Sequence, residues 1–461
     1  MVFASLEFLT LFLPAFLLAY YATPRRGRNA TLLVGSAFFY AWWSPKYLLL
    51  VMALTVVAWG AALAIEAATD ERRKTRLMAL AVAVNAACLA WFKYANVVVV
   101  SIVELVTGIA GAPQGWEAVI VPIALSFTVL HAVSYVVDVR RGVVHAQRDL
   151  LAFAAYMAMY PHLIAGPVVR YRVIQREIRE RRIAVSDFGR GARRFMTGLA
   201  MKVLLADPLA PLVATVFALP APTLADAWLG CLAYSLQLFF DFAGYSAMAI
   251  GLALMIGFRF EENFNHPYLA VSIRDFWRRW HMTLSAWLRD YLYIPLGGDR
   301  KGKARTYVNV MLTMAIGGMW HGGDSWNFLV WGLIHGAAIS VARAADAREI
   351  RLPQWLGRAL TLLVVMLAWT VFRAEGWQAA LNVWSGQFGL NGFAMSHGVA
   401  LAMRPLVWAT LAAALLCVAW PALPRPRGVT WWSAAWPVGA FAVAVIFLAG
   451  QATIPFLYFQ F

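Results

Sequence analysis

The run Tyr47–Ile65, YLLLVMALTVVAWGAALAI, decides the fold class, because its 19 residues include no charged side chain. A helix needs about 20 predominantly apolar residues to cross the hydrocarbon core of a bilayer. The pattern recurs along the chain, so we predict an all-α, polytopic membrane helical bundle with roughly ten to twelve crossings, some short or re-entrant. Five further uncharged runs of 17 to 20 residues support this prediction: Phe8–Pro24, Ala118–Val137, Leu150–Val169, Ser325–Ala342 and Pro405–Pro424.

The composition excludes a water-soluble globular protein. Of the 461 residues, 62% are hydrophobic and 13% are charged, and the mean hydropathy is +0.66. A soluble domain keeps about a quarter of its residues charged. The three cysteines, Cys88, Cys231 and Cys417, lie inside apolar runs without metal-ligand or redox spacing. We therefore expect them to pack in the bundle and predict no metal site.

The net charge of +16 comes from basic residues that cluster in short loops. Such clusters are typical of cytoplasmic loops that face the anionic inner leaflet, and they indicate a multi-pass protein of the cytoplasmic membrane in contact with lipid. This placement argues against a nucleic-acid partner. The clusters are Arg25–Arg28, Arg72–Arg76, Arg140–Arg148, Arg170–Arg194, Arg343–Arg358 and Arg425–Arg427.

Two segments depart from simple crossings. The run Leu150–Val169 contains Pro161 and Gly166, which favour a broken, re-entrant element. The following polar stretch, Arg170–Arg182, places Ile174 and Ile178 on one helix face, which we expect to rest on the cytoplasmic membrane surface. Neither segment is long enough for a separate domain. We predict a single integrated transmembrane domain over residues 1–461, with an aromatic tail at residues 454–461.

Three histidines lie in or beside apolar runs, where an imidazole is costly unless it is paired or lines a wet cavity. His281 follows a dense Arg and Trp stretch, His321 is flanked by glycines, and His335 lies within the run Ser325–Ala342. Histidine transfers protons near pH 7, so His321 and His281 are candidates for deprotonating a hydroxyl. Spacing alone leaves open whether they are catalytic or structural, whereas His335 is expected to pack.

Asp241 is a carboxylate within the apolar stretch Leu238–Tyr245. It is expected to orient a histidine or bind an ammonium group, or to pair with a buried arginine or hydroxyl. The chain has no GxSxG motif, no phosphate-binding Walker loop and no metal-ligand spacing. A Ser-His-Asp hydrolase would therefore lack its nucleophile elbow.

Several blocks resemble the membrane-bound O-acyltransferase family, and are most similar to its bacterial, alginate O-acetylation branch. The blocks carrying the resemblance are Ser134-Tyr-Val-Val-Asp138, Tyr160-Pro-His-Leu-Ile-Ala-Gly-Pro167, Leu238-Phe-Phe-Asp-Phe-Ala-Gly-Tyr-Ser246, Glu262-Asn-Phe-Asn-His-Pro-Tyr268, Asp275-Phe-Trp-Arg-Arg-Trp-His281, Arg289-Asp-Tyr-Leu-Tyr-Ile-Pro-Leu-Gly-Gly298 and Gly318-Met-Trp-His321-Gly. The chain departs from the branch at Ala247, where Asp is usual, and at His131, where Gln is usual.

The resemblance implies a helical bundle around a central tunnel in the inner membrane of a bacterium. The family's catalytic histidine matches His321, and its second site histidine matches His281. We expect five residues to support them: Trp320, Asp241, Arg278, Arg289 and Asp324. The resemblance also implies an extracytoplasmic acetyltransferase partner protein and a polysaccharide acceptor.

The expected reaction moves an acetyl group from a cytoplasmic thioester donor, acetyl-coenzyme A, across the membrane for O-acetylation of an alginate-like polysaccharide. No bound cofactor is expected. His321 would deprotonate the acceptor hydroxyl, and His281, or nearby Trp and backbone N–H groups, would stabilise the oxyanion. Tyr458 resembles a terminal acyl-carrying tyrosine, although an aromatic tail also serves as an interfacial anchor. Two alternatives stay open: D-alanyl transfer to teichoic acid, and a non-enzymatic transporter.

Overall fold

The computed structural model describes residues 1–108, 111–113, 115–323, 325–420, 431–450 and 456–457. These residues are mostly α-helical and include no β-strand, which confirms the predicted all-α class. The helices are α1 (Leu13–Ala22), α2 (Arg28–Ala41), α3 (Pro45–Ala67), α4 (Glu71–Thr107), α5 (Leu125–Arg140), α6 (Leu150–Met157), α7 (Tyr160–Leu163), α8 (Tyr171–Arg179), α9 (Val185–Ala200), α10 (Ala210–Phe217), α11 (Leu224–Met255), α12 (Ile273–Trp277), α13 (Met282–Leu288), α14 (Lys303–His321), α15 (Asn327–Asp346), α16 (Gln354–Arg373), α17 (Trp377–Gln387), α18 (His397–Ala402), α19 (Pro405–Ala419) and α20 (Trp431–Gly450).

Six helical stretches among the described residues are long and apolar enough to cross a membrane. Three shorter apolar helices add Phe8–Ala22, Pro405–Ala419 and Ala435–Gly450. The polytopic helical class is thereby confirmed, while the number of crossings and the central tunnel stay predictions. The six are Pro45–Ala67, Glu71–Thr107, Val185–Phe217, Leu224–Met255, Asn327–Asp346 and Gln354–Arg373.

The run Ala118–Val137 is helical only in its second part, so the helix is shorter than the uncharged run. The helix α5 begins at Leu125. A turn precedes the helix, in which the Pro122 carbonyl accepts a hydrogen bond from the Leu125 N–H at 3.2 Å. Ala124, within this turn, has a left-handed φ of 72°. A left-handed residue cannot continue a right-handed helix, and a hydropathy pattern does not reveal it.

The predicted break in Leu150–Val169 is confirmed. The helix α6 ends at Met157, α7 is a single turn from Tyr160 to Leu163, and Gly166 has a φ of +115°. The next helix, α8, does place Ile174 and Ile178 on one face, but both side chains are buried in the protein. That face therefore does not rest on lipid as we expected.

The chain divides into two compact units. The first contains Met1–Leu199, Tyr245–Glu262 and the described residues from 437 to 450. Its core holds a buried aromatic cluster in which Tyr160 packs edge-on against Phe12 and Phe16. The prediction of a single integrated domain stays a prediction.

The second unit contains Ala200–Gly244 and the described parts of Asn263–Trp436 and Phe456–Phe461. In this unit α14 and α15 approach closely through facing glycines. A Cβ on Gly318 would lie 2.2 Å from the Phe328 carbonyl oxygen, and one on Gly332 would lie 2.3 Å from the Met314 carbonyl oxygen. These distances exclude a side chain, so glycine sets the helix separation. Because His321 is the last residue of α14, this packing also positions His321.

We expect Gly332→Ala to lower stability by about 1–3 kcal/mol, since overpacking forces helix backbones apart. The matched control is Gly60→Ala in α3, where an added Cβ would have no neighbour within 4 Å. The control removes a flexible residue from a helix interior and should leave stability equal or slightly higher. Thermal melting in detergent measures both. Equal melting temperatures for the two variants would contradict the close packing.

Candidate active site

The fold brings His281 and His321 together in the second unit. Their ring centroids lie 6.4 Å apart, and the two residues are 1% and 7% exposed. His281 precedes α13, and Ser272 caps the neighbouring helix α12 by accepting a hydrogen bond from the Asp275 N–H at 3.1 Å. The two histidines are far apart in sequence, but their side chains lie within reach of one small substrate group.

The backbone of His281 is held in a left-handed conformation, with φ 43° and ψ 52°. This conformation costs roughly 1–2 kcal/mol for a residue with a Cβ. Two backbone hydrogen bonds of 2.9 Å maintain it: Met282 N–H donates to Asn263 O, and Asn265 N–H donates to Arg279 O. Strain of this kind persists where the surrounding structure over-determines it, and it is common at active sites.

Asn263 fixes the tautomer of His281. The Asn263 Oδ1 atom lies 3.0 Å from His281 Nδ1 and also accepts hydrogen bonds from the Thr283 N–H and hydroxyl. A backbone N–H can only donate, so this Asn263 atom is the oxygen and His281 Nδ1 must carry a proton. His281 lies outside the six candidate spans, and burial lowers the pKa of its imidazole to about 3. The ring is therefore neutral at pH 7, with a lone pair on Nε2.

Aromatic rings surround His321. The rings of Trp320, Trp331 and Phe372 lie 5.0, 5.2 and 5.5 Å from its centroid, all edge-on. His321 lines a cavity of about 20 Å³, enough for one water molecule. Apart from His321 and Asp241, the cavity walls are almost entirely apolar or aromatic: Leu238, Phe242, Trp280, Trp331, Trp369, Phe372, Phe456 and Leu457.

Asp241 lies in the wall of this cavity, and of the partners expected of it the structure shows an ammonium group. Its Oδ1 atom forms an ion pair with Lys202 Nζ at 2.9 Å, and its Oδ2 atom accepts a hydrogen bond from the Leu457 N–H at 2.9 Å. Lys202 also pairs with Asp207 at 2.5 Å. Asp241 therefore binds an ammonium group of this chain, rather than a histidine, an arginine or a hydroxyl.

Three residues beside the cavity were not among the predicted site residues: Lys202, Asp207 and Asn263. The signal for Lys202 was present, since a lone lysine in the apolar stretch Ala200–Ala206 requires a buried anion. A π-helical turn, Met201–Ala206, carries this lysine, and such turns are frequent at functional sites. Nothing in the sequence pairs Asn263 with His281.

The other predicted site residues lie in different places. Trp320 packs on His321, as described above, whereas Arg278 and Arg289 are exposed and line a separate cleft of about 360 Å³. Asp324 and Tyr458 lie outside the described residues. His335 packs as expected: it is fully buried, and its Nδ1 atom accepts a hydrogen bond from Trp277 Nε1 at 3.3 Å.

The cleft carries four arginines: Arg274, Arg278, Arg289 and Arg343. Arg289 pairs with Asp290 at 2.8 Å and Arg343 with Asp299 at 2.7 Å, while Arg278 makes no ion pair with any described residue. Neighbouring residues of one short stretch border both spaces. Trp277 and Arg278 line the cleft, whereas Trp280 lines the histidine cavity and His281 lies beside that cavity. A strongly basic cleft near a largely aromatic cavity suits a substrate with phosphates at one end.

The sequence matches the profile of the membrane-bound O-acyltransferase family over residues 36–366. The chain belongs to this family. It is 42% identical to the “Probable alginate O-acetylase AlgI” of Azotobacter vinelandii, over the whole of both chains. It is 33% identical to the peptidoglycan O-acetyltransferase of Helicobacter pylori, over 85% of this chain and 80% of that one. A teichoic acid D-alanyltransferase of Streptococcus thermophilus is 26% identical, over 61% of this chain and 75% of that one.

Family membership confirms the predicted enzyme class. The protein is an O-acyltransferase, and its apolar helices and bacterial relatives make it a multi-pass bacterial membrane protein. The transporter alternative is thereby set aside. The roles of the individual site residues stay predictions.

We expect Asn263→Ala to lower acyl transfer by about 10- to 100-fold, because the ring of His281 loses the acceptor that fixes its orientation and tautomer. The control is Asn265→Ala, which removes an exposed amide two residues away and keeps the backbone bond to Arg279. Transfer rates and melting temperatures should be measured together. Equal rates for the two variants would show that Asn263 does not set the reactivity of His281.

Proposed function

We propose that this enzyme transfers an acetyl group from acetyl-coenzyme A to a hydroxyl, for the O-acetylation of an alginate-like polysaccharide outside the cell. The observation that carries the proposal is the pairing of His281 and His321 beside one enclosed aromatic cavity. The full-length similarity to an alginate O-acetylase supports the acetyl group and the polymer. D-alanyl transfer is less well supported, because the teichoic acid D-alanyltransferase of Streptococcus thermophilus matches less of the chain and at lower identity.

His321 acts as the general base in the proposed reaction. It takes the proton from the acceptor hydroxyl while the hydroxyl oxygen attacks the thioester carbonyl, and a C–O bond forms. The tetrahedral intermediate then collapses, the C–S bond breaks, and the proton passes from His321 to the departing thiolate. The hydroxyl has one hydrogen, so it donates to the lone pair on His281 Nε2 as it enters and turns that hydrogen to His321 before the attack.

A tryptophan stabilises the oxyanion in this proposal. We expected His281 to be one candidate for that role, but its ring proton is committed to Asn263, so Nε2 has no proton to donate. The Trp331 Nε1–H group belongs to a ring in the cavity wall, is buried, and makes no hydrogen bond with any described residue. A preorganised N–H donor in an enclosed site stabilises the negative charge that develops on the carbonyl oxygen.

The basic cleft binds the phosphates of the donor. Arg278 provides an exposed cation without an ion-pair partner among the described residues, and Arg274, Arg289 and Arg343 surround the same cleft. Met314 in the cleft wall and His321 lie on one helix, seven residues apart, which corresponds to about 10 Å along the axis. A donor that binds its phosphates in the cleft can thus extend its acyl end toward His321.

The first acceptor is Tyr458 or a hydroxyl of an extracytoplasmic partner protein, which then delivers the acetyl group to the polysaccharide. Tyr458 lies outside the described residues, but the preceding residues, Phe456 and Leu457, line the cavity of His321. This neighbourhood supports a tyrosine relay.

His321→Ala should lower the transfer of labelled acetyl from acetyl-coenzyme A by about 10²- to 10⁴-fold, since the general base is lost. The control, His397→Ala, removes an exposed histidine and should retain the wild-type rate. Purified protein in lipid nanodiscs is incubated with radiolabelled donor, and Tyr458→Phe reports whether the label rests on the tyrosine. Normal transfer by well-folded His321→Ala protein would refute the proposed base.

Arg278→Ala should raise the KM for acetyl-coenzyme A about tenfold or more with little change in kcat, because a phosphate contact far from the carbonyl serves binding alone. Arg351→Ala, at an exposed position outside the cleft, is the control. Steady-state kinetics over a range of donor concentrations separates the two parameters. An unchanged KM would place the donor phosphates elsewhere.

A further inference from the structure

Three charged side chains are buried together beside the histidine cavity. Lys202 and Asp241 are 2% and 1% exposed, and Asp207 is also buried. The ammonium of Lys202 contacts both carboxylates, at 2.9 Å from Asp241 and 2.5 Å from Asp207. Burying charges is costly, so a cluster of this kind within apolar helices calls for a function beyond packing.

The cluster has a second partner near the end of the chain. The Asp241 carboxylate contacts Lys202 through one oxygen and accepts a hydrogen bond from the Leu457 N–H through the other, at 2.9 Å. Phe456 and Leu457 are themselves buried, and both line the cavity that contains His321. The Phe456 ring also packs on Phe242, at 5.9 Å between centroids.

We propose that Lys202 and Asp241 form a docking site for the C-terminal segment, with Asp241 as a positioning residue that holds the Leu457 backbone beside His321. The Lys202 ammonium, 2.9 Å from Asp241, favours the ionised carboxylate, which accepts a stronger hydrogen bond from an amide than a neutral group does. Asp207 balances part of the lysine charge. The inference rests on the proposed function, in that docking presents the segment to the transfer site.

Docking also places two side chains in the cavity wall. With Phe456 and Leu457 in its walls, the cavity is about 20 Å³, the space of a single water molecule. Excluding bulk water from a cavity strengthens the electrostatic interactions within it. The docked residues thus form part of the wall beside His321, and in the sequence they directly precede the proposed acceptor Tyr458.

A substitution at Leu457 tests docking without disturbing the charges. Leu457→Pro removes the backbone N–H, whereas Leu457→Ala keeps it, and both variants lose the leucine side chain. We expect the rate of acetyl transfer by the proline variant to be at least tenfold below that of the alanine variant, mainly through kcat. Equal rates for the two variants would overturn the proposed positioning role.

Hydrogen–deuterium exchange on the full-length protein reports docking independently of catalysis. The amide of Leu457 should exchange at least tenfold more slowly in the wild type than in Asp241→Leu, while Asp241→Asn, which keeps an oxygen acceptor, should lie between them. If the wild type fails to transfer acetyl but shows this order, docking stands and the proposed function fails. If Leu457 exchanges equally fast in wild type and Asp241→Leu, docking is refuted even when His321-dependent transfer is present.

Discussion

The close approach of α14 and α15 is the constraint on which the rest of the second unit depends. Gly318 and Gly332 each face a carbonyl oxygen at a distance that no Cβ can occupy, so the two backbones touch. This contact places His321, at the end of α14, against Trp331 of α15. The arrangement of the aromatic cavity therefore follows from helix packing. The two glycines carry no functional group, but they set the helix separation that positions His321.

Buried polar groups supply the specificity within this apolar frame. Asn263 gives His281 a defined tautomer, and Lys202 gives Asp241 an ammonium partner. An isolated polar group in such surroundings would cost several kcal/mol, so each needs a partner. The two pairs have different consequences: one leaves a lone pair on His281 Nε2, and the other holds a backbone amide of Leu457 beside the cavity. In the proposed mechanism, both consequences serve acyl transfer to a hydroxyl.

Much of the fold follows from the sequence because hydropathy reports burial in lipid directly. The run Tyr47–Ile65 lies within α3, and Pro161 and Gly166 marked a real break. The left-handed turn at Ala124 was not predicted, because the φ angle of a single residue does not change the hydropathy pattern. His281 and His321 were identified through family motifs, but the Asn263 and Lys202 contacts join residues distant in sequence, which a single chain does not reveal.

In the proposed mechanism, His281 and His321 serve one reacting group. The most direct measurement is the rate of acetyl-coenzyme A thioester cleavage by His281→Ala, His321→Ala and the double variant, in protein of matched purity and melting temperature. Residues that act as a unit are non-additive, so the double variant should be no more than a few-fold slower than the slower single variant. If the rate of the double variant fell by the product of the two single-variant reductions, the histidines would act independently. That result would contradict the shared site.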